Sequence, residues 1–427
     1  MINDNIFPIK TATACQFKWS WSTIFLSKGT TTSCHRCNHW EFDLDTLKDF
    51  HNLPGKIADR EKMLDGLWPG NGCEYCKKIE DAGGSSERTA WINKKDLIPP
   101  EILAGDMKAT KVTPRLLEVY FTNVCNQACV YCTPQFSSQI EAELRKHGKI
   151  SANPSYMNHP SIGDNYPLYL QKFWEWMEEH GSELYEFQIL GGEPLYQKEF
   201  EQCLNFFDKH PNPNLIMRIF SNLKHDEEKF KKKIQKVNDL IANKKIRELH
   251  IVASQDCWGP QAEYARYGMN LKNWEANIRY CLSQGVPVNI HMTISALTIP
   301  TLGDFIDKIY SLRKEYKAGL WISSNTIVNP ECLDPYIFGD KIAFYLEDVL
   351  TKLTDPNDKQ QKECLEGILA GMKSSKVNTK QVNDFKNYLD EIDRRRNTNW
   401  RILYPVISDI AETITLPVEA PIQCVNL

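Results

Sequence analysis

The sequence predicts an α/β protein built on a parallel sheet, and three observations carry that prediction. Six apolar, β-prone runs alternate with amphipathic helical stretches. The order is strand then helix throughout. The polar and cysteine-bearing motifs fall directly after predicted strands, at one rim of such a sheet. The strands are predicted over residues 116–122, 185–190, 215–221, 246–254, 286–294 and 320–328. Helices are predicted over 136–146, 198–209, 227–242, 271–284 and 301–314. Parallel strands joined by right-handed crossovers curl into a whole or partial barrel whose site lies at the strands' C-terminal ends. Ahead of this core lies a cysteine-rich segment, residues 1–90, and a linker, 91–113, containing Pro99-Pro100. The core itself spans 114–330, and a helical, charge-rich extension spans 331–427.

Composition narrows the function. At 427 residues the chain is long enough for two or three domains with large cores. Hydrophobic residues at 42% and charged residues at 25% are ordinary globular values. The net charge of −4 provides no broad positive field, which disfavours nucleic acid as a partner. No apolar run approaches a membrane span and no signal segment opens the chain, so the expected setting is cytoplasmic and free of membrane. Fourteen cysteines in such a chain read as metal ligands plus buried thiols rather than disulfides.

The densest chemistry follows the first strand, in Phe121-Thr-Asn-Val-Cys-Asn-Gln-Ala-Cys-Val-Tyr-Cys132. Cys125, Cys129 and Cys132 supply three thiolates, whereas a cubane iron–sulfur cluster is normally closed by four. A loop with three leaves one iron free for a small molecule, by the logic that separates open catalytic metal sites from closed structural ones. The bland alternative is part of a zinc knuckle. After the second strand comes Leu190-Gly-Gly-Glu-Pro194. Gly191 and Gly192 let backbone approach a ligand closely, and Glu193 offers an acceptor for an ammonium group. The third strand ends in Ser221-Asn222 and the fourth in Ser254-Gln-Asp256. Arg266 follows, with a guanidinium able to fork a carboxylate. Ser221, Asn222 and Asp256 could equally be turn formers, and Arg266 a solvated charge.

Together the CxxxCxxC spacing, aromatic Tyr131 and the GGEP run resemble the radical S-adenosylmethionine (SAM) superfamily. That resemblance covers residues 10–330 and implies an open, partial (β/α)6 TIM-like barrel. It also implies a [4Fe–4S] cluster on Cys125, Cys129 and Cys132, whose free iron takes S-adenosyl-L-methionine. GGEP would then hold the SAM amino group, Ser221 and Asn222 would point at SAM, and Ser254 and Arg266 would meet its ribose or carboxylate. Asp256 joins this cofactor-binding set.

The N-terminal segment carries Cys15, Cys34, Cys37, Cys73 and Cys76. Thirteen residues, Gly29 and four more separate Cys15 from Cys34, and Cys73 and Cys76 form a CxxC pair. Residues 23–33 read as a β-hairpin turning at Gly29, which brings Cys15 beside Cys34. The arrangement resembles the twitch (half-SPASM) domain of radical SAM enzymes and implies an auxiliary iron–sulfur cluster on Cys15, Cys34, Cys73 and Cys76. It departs from the family in preceding the barrel and in carrying Cys37. The competing reading is a zinc site on Cys34, Cys37, Cys73 and Cys76. Residues 82–88 read as a flexible connection, with Arg88 as a possible substrate contact.

Cys203, Cys257, Cys281, Cys332, Cys364 and Cys424 lack ligand spacing and default to buried thiols. Cys257, at the active rim, is nonetheless a candidate catalytic hydrogen donor. His291 and Thr293 share one face of the fifth strand and could face substrate, though a satisfied core histidine is an equal reading. The resemblance implies an oxygen-sensitive enzyme that cleaves SAM to a 5′-deoxyadenosyl radical with electrons from a flavodoxin or ferredoxin type reductant. Its first expected substrate is a ribosomally made precursor peptide, helped by a separate leader-peptide recognition protein. The alternatives are a small molecule, such as a sugar, nucleoside or amino acid, or a non-catalytic zinc-binding role.

Overall fold

The computed structural model describes residues 6–91, 94–150, 163–317 and 319–415. Eleven strands are present among them: β1 (Trp21–Phe25), β2 (Thr30–Thr32), β3 (Trp40–Glu41), β4 (Leu116–Tyr120), β5 (Ala128–Cys129), β6 (Glu186–Leu190), β7 (Ile216–Ser221), β8 (Glu248–Ser254), β9 (Arg266–Tyr267), β10 (Val288–Ile294) and β11 (Leu320–Thr326). Nine of them form one sheet in the order β11-β10-β8-β7-β6-β4-β1-β2-β3. From β4 to β11 the spatial order follows the chain order and every pairing is parallel. The architecture is therefore mixed α/β with a mostly parallel central sheet.

Alternation along each strand sorts the side chains onto two faces. Leu117 and Val119, Phe187 and Ile189, Met217 and Ile219, Leu249 and Ile251, and Ile290 and Met292 all sit in the main core. The helices that bury this face include Lys198–Lys209, Glu227–Ala242, Leu271–Ser283 and Leu302–Glu315, within a residue of the predicted bounds. The helix Tyr166–His180 was not anticipated; it sends Leu170, Phe173, Trp176 and Met177 into the same core. The opposite face is polar, carrying Glu118, Glu186, Gln188, Arg218 and His291 on alternate positions.

The cysteine-rich segment differs from expectation in one respect. Its hairpin is not a sheet apart: β1 pairs antiparallel with β2 across Gly29 and parallel with β4, from Trp21↔Leu116 to Phe25↔Tyr120. Ile24 joins the main core, and Phe25 stacks on Tyr120 at 4.4 Å. The stretch read as a linker is packed as well. Leu97, Ile98, Ile102, Ala109 and Val112 form a second core with Phe7 and Trp19, and Trp19 Nε1 donates to the Ala109 carbonyl at 2.7 Å. In the extension, the helix Thr379–Arg396 lies against the cysteine loop, where Tyr388 Oη donates to the Val130 carbonyl. Cys364 is exposed, contrary to its default, while Cys203, Cys281 and Cys332 are buried. Cys424 lies outside the described residues. No helix among the described residues is long and apolar enough to cross a membrane.

Candidate active site

A cavity of about 250 Å³ opens at the C-terminal ends of the parallel strands. Its wall holds Cys125, Cys129 and Cys132 after β4, Gly191 and Gly192 after β6, Asn222 after β7, Ser254 of β8, and Arg266 of β9. Tyr120, Leu190 and Phe220, from the polar face's ends, complete the floor. No other cysteine among the described residues lines this cavity. Among the described residues no three His, Cys, Asp or Glu side chains converge on a single ion.

Backbone geometry explains the glycines. Gly192 has φ +55°, and a Cβ there would stand 2.2 Å from the Val124 carbonyl oxygen, while one on Gly191 (φ +86°) would stand 2.8 Å from Tyr120. The Glu193 amide donates to that same Val124 carbonyl at 2.8 Å, so the glycine run clamps the cysteine loop. The Glu193 carboxylate, fully buried, does not line the cavity. It accepts from the Asn222 amide (2.7 Å), Ser221 Oγ (2.9 Å) and the Leu195 amide (3.3 Å), and lies 3.2 Å from His225 Nε2. Its acceptors are thus engaged within the chain, where they orient Ser221 and Asn222; Asn222 Nδ2 in turn donates to Asn126 Oδ1 of the cysteine loop at 2.8 Å.

Asp256 plays a similar part on the other side. Buried, it accepts from Arg266 Nε (2.9 Å) and Nη2 (2.7 Å), from the Thr293 amide (2.8 Å), and from Tyr131 Oη. Arg266 is therefore not a solvated charge; it is buried and held in a fork while facing the cavity. Burial pushes the Cys129 thiol up while Arg266 pulls it down, and burial pushes Cys125 up to about 12. Such thiols stay protonated until a metal takes the place of the proton.

Cys257 lies elsewhere. It is fully buried, does not line the cavity, and has its thiol pushed up to about 12, chiefly by burial. Of the polar face, sequence reasoning named His291 and Thr293 but not Glu118, Glu186 or Arg218. Glu118 accepts from Thr23 Oγ1 at 2.5 Å and lies 3.3 Å from His35 Nε2, and Glu186 accepts from Arg218 Nε at 2.6 Å. His291 Nδ1 lies 2.9 Å from Ser323 Oγ on that face. Polar residues at every second position of otherwise apolar strands were the available signal.

In the N-terminal segment, Cys15, Cys34, Cys73 and Cys76 line one small cavity, about 20 Å³. Cys37 Sγ lies 3.4 Å from Cys34 Sγ and 3.2 Å from the buried Lys18 Nζ, which also donates to Asp59 at 2.6 Å. The Cys34 and Cys73 thiols and the Lys18 ammonium hold the Cys37 thiol well below its usual range. Five soft donors beside a buried cation suit iron–sulfur or zinc chemistry. Arg88 is engaged within the chain, by Glu80 and by the Ala14 carbonyl at 2.7 Å.

No protein-family model matches the chain, and no curated protein matches it. Among solved structures it is similar to native anSMEcpe with bound AdoMet, at 18% identity and TM-score 0.34 over 59% of this chain and 62% of that one. A second structure of anSMEcpe, with AdoMet and a Kp18Cys peptide, matches at 17% identity and TM-score 0.33, over the same shares of the two chains. Streptococcus suis SuiB bound to S-adenosylmethionine matches at 12% identity and TM-score 0.38, over 77% of this chain and 68% of that one. This chain thus spans less than two thirds of the anSMEcpe chain. Scores this low carry no weight for function, which is read from the chain's own residues.

Proposed function

We propose that the chain is a radical SAM enzyme whose six sequential parallel strands curl into a partial barrel, residues 114–330. One observation carries the reading: three cysteines, and no fourth among the described residues, share a cavity wall with a glycine pair at the C-terminal ends of those strands. Cys125, Cys129 and Cys132 would hold a [4Fe–4S] cluster, and Gly191, Gly192, Asn222, Ser254 and Arg266 would surround SAM at its free iron. When bound, this pair supplies a 5′-deoxyadenosyl radical that removes hydrogen from a C–H bond. The chain's own contribution is orientation. Glu193 fixes Ser221 and Asn222, Asp256 fixes Arg266 and Tyr131, and the apolar floor of Tyr120, Leu190 and Phe220 keeps water from the reacting carbon.

The substrate we infer is a ribosomally made peptide. The cavity of about 250 Å³ is open to solvent at its mouth. A second reactant would then enter from the open mouth as an extended segment does, over the inner-face groups Glu118, Arg218 and His291. A flavodoxin or ferredoxin type reductant and a separate leader-recognition protein would be its partners, in the cytoplasm. Residues 1–90 would hold an auxiliary cluster on Cys15, Cys34, Cys73 and Cys76. Zinc is the second reading there, favoured by the 3.4 Å between Cys34 and Cys37, close to the ~3.8 Å separating thiolates on one tetrahedral zinc.

Metal analysis and SAM cleavage test these readings. Anaerobically purified protein is expected to be brown and to hold about seven or eight irons per chain, or about four with zinc at the N-terminal site. With dithionite it should release 5′-deoxyadenosine from SAM, and Cys129→Ala should abolish that release. Colourless zinc-loaded protein, or undiminished release by Cys129→Ala, would overturn the assignment. A mass shift in a co-expressed precursor peptide tests the substrate.

A further inference from the structure

The short ladder of β5 and β9 has two faces. It pairs Cys129 with Arg266 and Ala128 with Tyr267. Cys129 and Arg266 face the candidate active site, whereas Ala128 and Tyr267 line a second cavity, of about 300 Å³, on the other side. The helix Ser138–His147 brings Glu143, Lys146 and His147 to this cavity, and the end of the helix Thr379–Arg396 brings Arg395 and Arg396. Three cations therefore meet one carboxylate.

Arg396 is the decisive residue. Its side chain is 2% exposed, its guanidinium lies over the Tyr267 ring at 4.7 Å, and its Nε donates to Glu143 Oε2 at 2.9 Å. Nη1 and Nη2 are buried without a hydrogen-bond partner among the described residues. Glu143 thus occupies one edge of the fork and leaves the other open. Arg395 is committed on two sides, donating from Nε to Glu391 at 2.7 Å and from Nη2 to the Gly148 carbonyl at 2.9 Å, but its Nη1 has no hydrogen-bond partner among the described residues and stands 3.8 Å from Glu143. A buried cation with idle donors is costly, because those donors have lost water's acceptors and gained none in return. A group with two oxygens on one centre matches the open edge of such a fork.

We propose that this cavity is an oxyanion site, in which a carboxylate or phosphate group accepts from Nη1 and Nη2 of Arg396 while Arg395 and Lys146 balance its charge. The site is separate from the SAM cavity and requires no cluster, so it stands or falls independently of the proposed reaction.

The test is anion binding by the full-length protein, read by calorimetry and by the unfolding midpoint, with inorganic phosphate and acetyl-glutamate amide as probes and sodium chloride of equal ionic strength as control. One or both probes should bind saturably and raise the midpoint beyond chloride. Tighter phosphate binding identifies a phosphorylated ligand, and tighter acetyl-glutamate binding an acidic side chain. Arg396→Gln should weaken binding roughly tenfold or more, as expected when one partner of a buried charged contact is removed. Lys146→Ala, on an exposed lysine, should weaken it to a smaller extent with an unchanged circular dichroism spectrum, and decides alone if Arg396→Gln does not fold. No saturable binding by either probe, or unchanged affinity in the folded variants, overturns the site.

Discussion

Arg266 and Asp256 illustrate how single residues acquire their roles. Each alone is a buried charge, and only the two-point contact between them, with Tyr131 and the Thr293 amide, makes that burial tolerable. Asp256→Ala should therefore destabilise the protein by about 3–5 kcal/mol in urea titrations, the cost of leaving one partner of a buried pair uncompensated. Gly192→Ala should cost more than about 1 kcal/mol, because an alanine at φ +55° would be strained even before its Cβ met the Val124 carbonyl. The sequence, read through a family resemblance, named Cys125, Cys129, Cys132, Gly191, Gly192, Asn222, Ser254 and Arg266, all of which line one cavity. It did not reveal that Glu193 and Asp256 spend their carboxylates within the chain, or that Cys257 lies outside the cavity. Motif position specifies which strand end a residue occupies, but a side chain's partners come from other strands.

At the level of elements, βα units were legible because each strand's outer face is apolar at every second position and each helix follows with its own period. The helix Tyr166–His180 was not, since its aromatic-rich stretch follows Pro167 and its burial depends on a core assembled from distant segments. Neighbouring helices are also tied by charge. Glu275 accepts from Lys308 at 2.6 Å and from Arg279 at 2.9 Å, joining Leu271–Ser283 to Leu302–Glu315. Burial pushes Glu275 up, but Lys308 and Arg279 outweigh it and hold its carboxyl below the usual range. A depressed carboxyl stabilises the fold above its unfolded pKa of about 4.3 and loses that contribution as pH falls through the folded value. Glu275→Gln should consequently cost up to about 1 kcal/mol at pH 7, with the gap to the unmodified protein closing toward pH 3 in urea melts.

Across the whole molecule, the C-terminal extension and the N-terminal segment both reach the neighbourhood of β4, one through the cysteine loop that follows it and the other through strand pairing. Tyr388 reaches the Val130 carbonyl across 258 residues of chain, and β1 extends the sheet beside β4. Tyr388→Phe should cost about 1–3 kcal/mol by orphaning a buried carbonyl, and hydrogen exchange should quicken in the cysteine loop before the distant helix Glu227–Ala242. By itself the sequence determined the alternation of strands and helices, the rim on which the cysteine and glycine motifs lie, and the soft donors at each cysteine set. These follow from local period and spacing, which the chain carries along its length. Tertiary structure alone decided that the hairpin joins the central sheet and that Arg396 from a distant part of the chain stands behind the cysteine loop with donors to spare. Those are contacts between residues far apart in sequence, set by which faces pack, and no local pattern encodes them.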